Sequence, residues 1–139
     1  MYMNNSLEIS RAKFAYDMVS QVKNNKQYLS LIRSFPIMIH NNGYITAMTF
    51  LFSNKADDKK KENEYNYLYN HITGWLVEKK LHDITKDFMK TLTEISNENY
   101  KQISNETTAF LIWLKRFAEG MIGEKAKNTT GGNSDALYS

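Results

Sequence analysis

A chain of 139 residues has room for one complete hydrophobic core and not comfortably for two, so a single domain is expected. With 42% hydrophobic and 24% charged residues and a single proline, the composition excludes a disordered chain and suits a mostly helical globule. The formal net charge of +3 permits an acidic or nucleic-acid partner without demanding one, and the absence of cysteine excludes disulfides, thiolate catalysis and cysteine-based zinc sites. The opening MYMNNSLEIS carries no export pattern, and no apolar run approaches the roughly 20 residues that span a bilayer. A cytoplasmic protein with no membrane partner is therefore the expectation.

Ser6 reads as the N-cap of a first helix running to about Asn24, because Ala12, Ala15, Met18, Val19 and Val22 recur at helical spacing. Lys13 and Asp17 point away from that stripe, whereas Arg11 falls inside it, where its stem can pack while the guanidinium meets a carboxylate or a phosphate. Asn24-Asn25 breaks the helix and Tyr28, Leu29, Leu31 and Ile32 begin the next. Pro36 predicts that one turn ends at Ser34-Phe35-Pro36 and another opens there, since proline inside a helix forfeits a hydrogen bond.

Asn41-Asn42-Gly43 reads as a left-handed C-cap, and Tyr44 to Phe52, apolar on nearly every side, as a buried helix. The run KADDKKKENE from Lys55 to Glu64 carries charges of both signs and reads as a mobile, solvated loop. Tyr65, Leu68, Ile72, Trp75 and Leu76 form the stripe of a further helix that ends at Lys79-Lys80. A shorter helix is expected through Ile84, Phe88, Leu92 and Ile95.

Ser104 is the expected N-cap of the terminal helix, with Glu106 in its first turn. In TAFLIWLKRFAEGMI, from Thr108 to Ile122, apolar residues cover more than half of the circumference, so other helices must surround it. Its narrow polar side carries Ile112, Lys115, Arg116 and Glu119, with Lys115 and Glu119 at the spacing of a surface ion pair. After Gly123 no periodic apolar face remains. The reading is therefore an all-α, compact single-domain bundle of about five to seven helices over residues 1–127, followed by a disordered tail over 128–139.

No catalytic constellation emerges. His40, His71 and His82 lie far apart and none forms the H-E-x-x-H spacing that places two imidazoles on one helical face, so neither a metal nor another cofactor is expected. Asp57-Asp58 sits in too hydrophilic a stretch for a raised pKa, and Gly131-Gly132 opens no helix that could cradle phosphate. Of Tyr65, Tyr67 and Tyr69, Tyr67 is the one that points away from the apolar stripe.

Several blocks, taken in order, resemble one family: the small subunit, the fifth Cmr protein, of type III-B CRISPR RNA-guided effector complexes. They are RAKFAYDMV at Arg11 to Val19, YLSLIRSFPIMIHNNG at Tyr28 to Gly43, Ala47 and Phe50, Trp75-Leu76, and WLKRFAEG at Trp113 to Gly120. The resemblance implies an all-helical, non-catalytic protein of antiviral defence whose copies stack along the inner filament of a ribonucleoprotein. Its implied partners are other Cmr subunits, notably the guide-binding backbone subunit, neighbouring copies of itself, and the duplex of guide RNA with target RNA, with no small-molecule substrate.

Basic side chains would neutralise target phosphates without reading bases, because guide pairing already reads sequence. Carried over onto this sequence, the candidate phosphate contacts are Arg33, Lys115 and Arg116, with Arg11, Lys13, Lys23 and Lys26 chosen by charge and expected exposure. The rival reading is a helical protein-protein adaptor with no nucleic-acid role, docking through Ile112 and the tyrosines.

Overall fold

The computed structural model describes residues 2–123. Six α-helices follow one another among the described residues, with no strand: α1 (Tyr2–Ser20), α2 (Lys26–Asn42), α3 (Tyr44–Asn54), α4 (Glu64–Glu78), α5 (Phe88–Glu94) and α6 (Asn97–Met121). A single 3-10 turn, Lys59–Lys61, interrupts the link between α3 and α4. The tail expected over 128–139 lies outside the described residues.

The terminal helix organises the rest. Ile103, Thr107, Phe110, Leu111, Leu114 and Ala118 recur every three or four residues and are all buried, so one stripe of α6 faces the interior over most of its length. It packs against α1, α2 and α4. At the centre the rings of Trp75 from α4 and Phe110 from α6 stack, with centroids 5.2 Å apart and planes 13° from parallel. Phe14 of α1 closes this cluster at 5.3 Å from Trp75 and 5.8 Å from Phe110.

Several boundaries depart from expectation, each for a local reason. α6 begins at Asn97, because the Ser96 hydroxyl accepts the Asn99 N–H and Tyr100 and Ile103 continue the same apolar stripe. Ser104 is therefore an interior residue and Glu106 stands well inside the helix. α1 starts at Tyr2, which makes Ser6 an exposed interior position, and it ends at Ser20; Val22 is buried from the turn that follows. Pro36 lies inside α2, whose buried Leu31, Ile32 and Phe35 hold the helix through the missing hydrogen bond. α5 opens only at Phe88, where Asp87 accepts the N–H groups of Met89 and Lys90, so Ile84 is left outside the helix and 77% exposed.

Gly43 alone turns α2 into α3. Its φ is positive as expected, at +90°, but its ψ of 161° is extended rather than left-handed helical, a combination open in practice only to glycine. The Gly43 N–H closes α2 on the Ile39 carbonyl. No side chain of the local sequence caps α3; the Tyr100 hydroxyl, reaching over from α6, accepts the Ile45 N–H at 2.9 Å instead. The polar link before α4 is anchored at both ends by Asn66. Its buried amide exchanges two hydrogen bonds with the backbone of Ala56 and accepts one from the Asn63 N–H.

Candidate nucleic-acid interface

Lys26, Ser30, Arg33 and Ile37 recur at spacings of four, three and four residues and so form one line along α2. Together with Leu29 and Ser34 they line an open groove of about 380 Å³. The helical rise separates Lys26 from Arg33 by about 10 Å along the axis. At the end of this line the Lys26 stem lies over Gly123, so close that a Cβ there would come 3.0 Å from Lys26 Cγ. The start of α2 and the end of α6 are thereby brought side by side.

Arg33 is exposed and its Nε lies 3.3 Å from Glu119 Oε2, which joins α2 to α6. The local pair expected between Lys115 and Glu119 is thus replaced by one across 86 residues. Lys115, half-buried, stands one turn before Glu119 on the same side of α6. Lys26, Arg33 and Lys115 therefore border the α2–α6 seam with Glu119 as its carboxylate.

Arg116 is exposed and turns toward α1, its guanidinium 5.3 Å from the centre of the Trp113 ring. The Trp113 indole N–H donates to Glu8 at 2.7 Å, and that bond, with the charges of Arg11 and Arg116, holds the Glu8 carboxyl below its usual range against the cost of desolvation.

The other candidates are separate. Lys23 is exposed in the turn between α1 and α2, and Lys13 is exposed on α1 along the line of Ile9 and Tyr16. Arg11 is different in kind. Its Nε and Nη2 donate to Glu106 at 2.7 and 2.9 Å, with both side chains only about one-eighth exposed. Glu106 also accepts the Trp75 indole N–H at 2.9 Å. Burial pushes the Glu106 carboxyl up, but the hydrogen bonds from Arg11 and Trp75 and the charges of Arg11 and Lys79 together leave it below its ordinary value. Arg11 is thus spent on the interior, and its guanidinium does not join the outward cations.

The histidines also go separate ways. His71 is buried with its Nδ1 2.7 Å from the Tyr28 hydroxyl, and desolvation lowers its pKa to about 4. His40 is exposed, and His82 is half-buried with its ring edge-on to Phe88. Among the described residues no three histidine, aspartate or glutamate side chains gather as metal ligands. No helix among them is long and apolar enough to cross a membrane.

The sequence pattern singled out Arg33 and Arg11 but missed Glu119 as the partner of Arg33 and Glu106 as the partner of Arg11. Neither had a local signal, since both partners come from distant segments. The exposed apolar residues of α1, Ile9 at 66% and Tyr16 at 51%, were missed too, although their spacing of seven residues on the side away from Ala15 and Val19 was a usable sign.

The described residues thus form an all-α domain with ammonium and guanidinium donors, those of Lys26, Arg33 and Lys115, along one helix seam. The family model described as CRISPR-associated protein (Cas_Cmr5) matches residues 7–121, and the chain belongs to that family, the one its sequence resembles. The fold is similar to that in the X-ray crystal structure of a CRISPR-associated Cmr5 family protein from Thermus thermophilus. The TM-score is 0.64 at 20% identity, over 81% of this chain and 94% of that one, a likeness of fold.

Proposed function

We propose that this chain is the non-catalytic small subunit of a cytoplasmic type III-B CRISPR effector complex. In this reading copies of it stack along the inner filament beside the guide-binding backbone subunit and contact target RNA through its phosphates. Membership of the Cmr5 family supports the setting. The single observation that carries the RNA contact is the convergence of Lys26, Arg33 and Lys115 on one seam, held in register by the Arg33–Glu119 bridge. Long, outward cations on a rigid helix pair suit phosphates, which give affinity and register without sequence. Arg116, on the adjoining face of α6, extends the same surface.

The apolar side chains exposed on α1, Ile9 and Tyr16, favour protein contact there, and Ile112 adds an exposed apolar contact within the polar side of α6. They supply the surface by which neighbouring subunits would meet this one, which absorbs the adaptor reading rather than competing with it.

The test is to reverse Lys115 and Arg116 to Glu and measure target RNA binding by the assembled complex across salt concentration. The fold should be unchanged, affinity should fall at low salt, and loss of two phosphate contacts from each copy should flatten the log–log salt slope by about 1.4 per copy in contact with the RNA. Affinity equal to that of the unaltered complex at both low and high salt would remove these residues from the interface.

A further inference from the structure

We propose that the hollow between the α1–α2 turn and α4 holds one unpaired base of single-stranded RNA. This rests on the RNA-contact reading and goes beyond it, because it adds a site for a base to a surface otherwise built for phosphates. The hollow measures about 440 Å³ and is lined by Gln21, Val22, Lys23, Asn24, Gln27 and Tyr67 among others.

The ring comes first. On α4, Tyr65 packs edge-on against Phe50, and Tyr69 against Phe52 and Phe88. Tyr67, half-buried at the wall of the hollow, has no ring partner among the described residues, and its hydroxyl makes no hydrogen bond there. A planar, anchored and unpaired aromatic face is what a base stacks upon.

The rim is amide. Asn25 is engaged in capping α2 through the Tyr28 N–H, but the side chains of Gln21, Asn24 and Gln27 are exposed and make no hydrogen bond among the described residues. Each offers one carbonyl acceptor and two N–H donors, the complement of a base edge. Lys23 projects from the same turn and lines the hollow, so a cation stands where the backbone of a bound nucleotide would leave it. The base must be unpaired, since pairing occupies its edge and stacking its faces. A lining dominated by amides disfavours an apolar protein anchor.

The test uses the purified full chain, isotope-labelled, titrated by NMR with an RNA trinucleotide and with an abasic trinucleotide of the same charge. Expected are shifts of the Tyr67 ring and of the Gln21, Asn24 and Gln27 side-chain amides with the base-bearing strand alone. That strand should bind at least about 5-fold tighter than the abasic one. Tyr67→Ala should erase the difference and Tyr67→Phe should keep it. The double variant Asn24→Ala, Gln27→Ala, both at exposed positions, should reduce the difference even if Tyr67→Ala fails to fold.

Equal binding of the two strands, with shifts confined to lysines and arginines, overturns the base site and leaves the phosphate reading standing. No shift with either strand at millimolar ligand overturns the base site as well, and the charge-reversed complex then decides separately whether RNA contact survives. Weakened assembly of the complex in Tyr67→Ala, with trinucleotide binding intact, would make the hollow a protein contact and overturn the proposal.

Discussion

Burial of His71 beside Tyr28 couples stability to pH at a single residue. Desolvation holds the imidazole neutral, at a pKa of about 4 against 6.5 for a free histidine, and raises the pKa of the Tyr28 hydroxyl, so the phenol O–H is left to donate to Nδ1. The folded state thus binds this proton less readily than the unfolded state. Its contribution is complete above pH 6.5 and is lost as pH falls toward 4, amounting to about 2 kcal/mol by pH 5. Urea unfolding at pH 7 and pH 5 checks this: His71→Asn, which keeps an acceptor but does not titrate, should lose that part of the pH dependence. Arg11 and Glu106 make the second residue-scale prediction. Glu106→Gln should cost about 2 kcal/mol in denaturant unfolding, because it leaves a largely buried guanidinium with only the exposed Glu8, 3.4 Å away, as countercharge, and adding Arg11→Met should recover part of the loss. Arg11 shows what sequence could and could not tell. Its place within an apolar arc announced an unusual arginine; that a carboxylate 95 residues away would meet it was invisible.

At the scale of elements, the interior of α4 carries an avoidable weakness. A Cβ built on Gly74 would lie 3.6 Å from Phe14 Cζ, an ordinary contact, so Gly74→Ala should raise stability by about 0.5–1 kcal/mol through helix propensity alone. A higher thermal midpoint with an unchanged circular dichroism spectrum is the expected result; a lower one would mean that the helix-to-helix spacing at Phe14 tolerates no added methyl. The helices themselves were legible because their apolar residues repeat at three and four. Their ends were less so. Ser104 and Ser96 are equally good caps in isolation, and the choice falls to Ser96 because the stripe of Tyr100 and Ile103 packs. Pro36 likewise reads as a break until the burial of its neighbours on α2 outweighs one lost bond.

For the whole molecule, the arrangement of charge matters more than the net value of +3. Glu119 sits among the outward cations and offsets Arg33, so it holds the seam in register while it weakens the field. Glu119→Gln should therefore strengthen RNA binding by the assembled complex about 2- to 3-fold at low salt, and the gain should vanish at high salt. A loss of affinity would show that the bridge serves mainly to position Arg33. The candidate interface was legible in part: the family resemblance singled out Arg33, Lys115 and Arg116, but their order on the surface depends on how α2 crosses α6.

The sequence by itself determined an all-α chain of about five to seven helices, the apolar stripes that seek the interior, and the family to which it belongs. Those properties rest on local periodicity and on ordered blocks such as WLKRFAEG, which need no knowledge of neighbours. Only the tertiary structure decided that Arg11 faces inward to Glu106 and Arg33 across to Glu119, that Tyr100 caps a helix it does not belong to, and that Tyr67 stands beside the amides of the α1–α2 turn. The physical reason is range. A hydrogen bond or ion pair between distant segments is set by packing once the core has formed, and it leaves no period in the sequence.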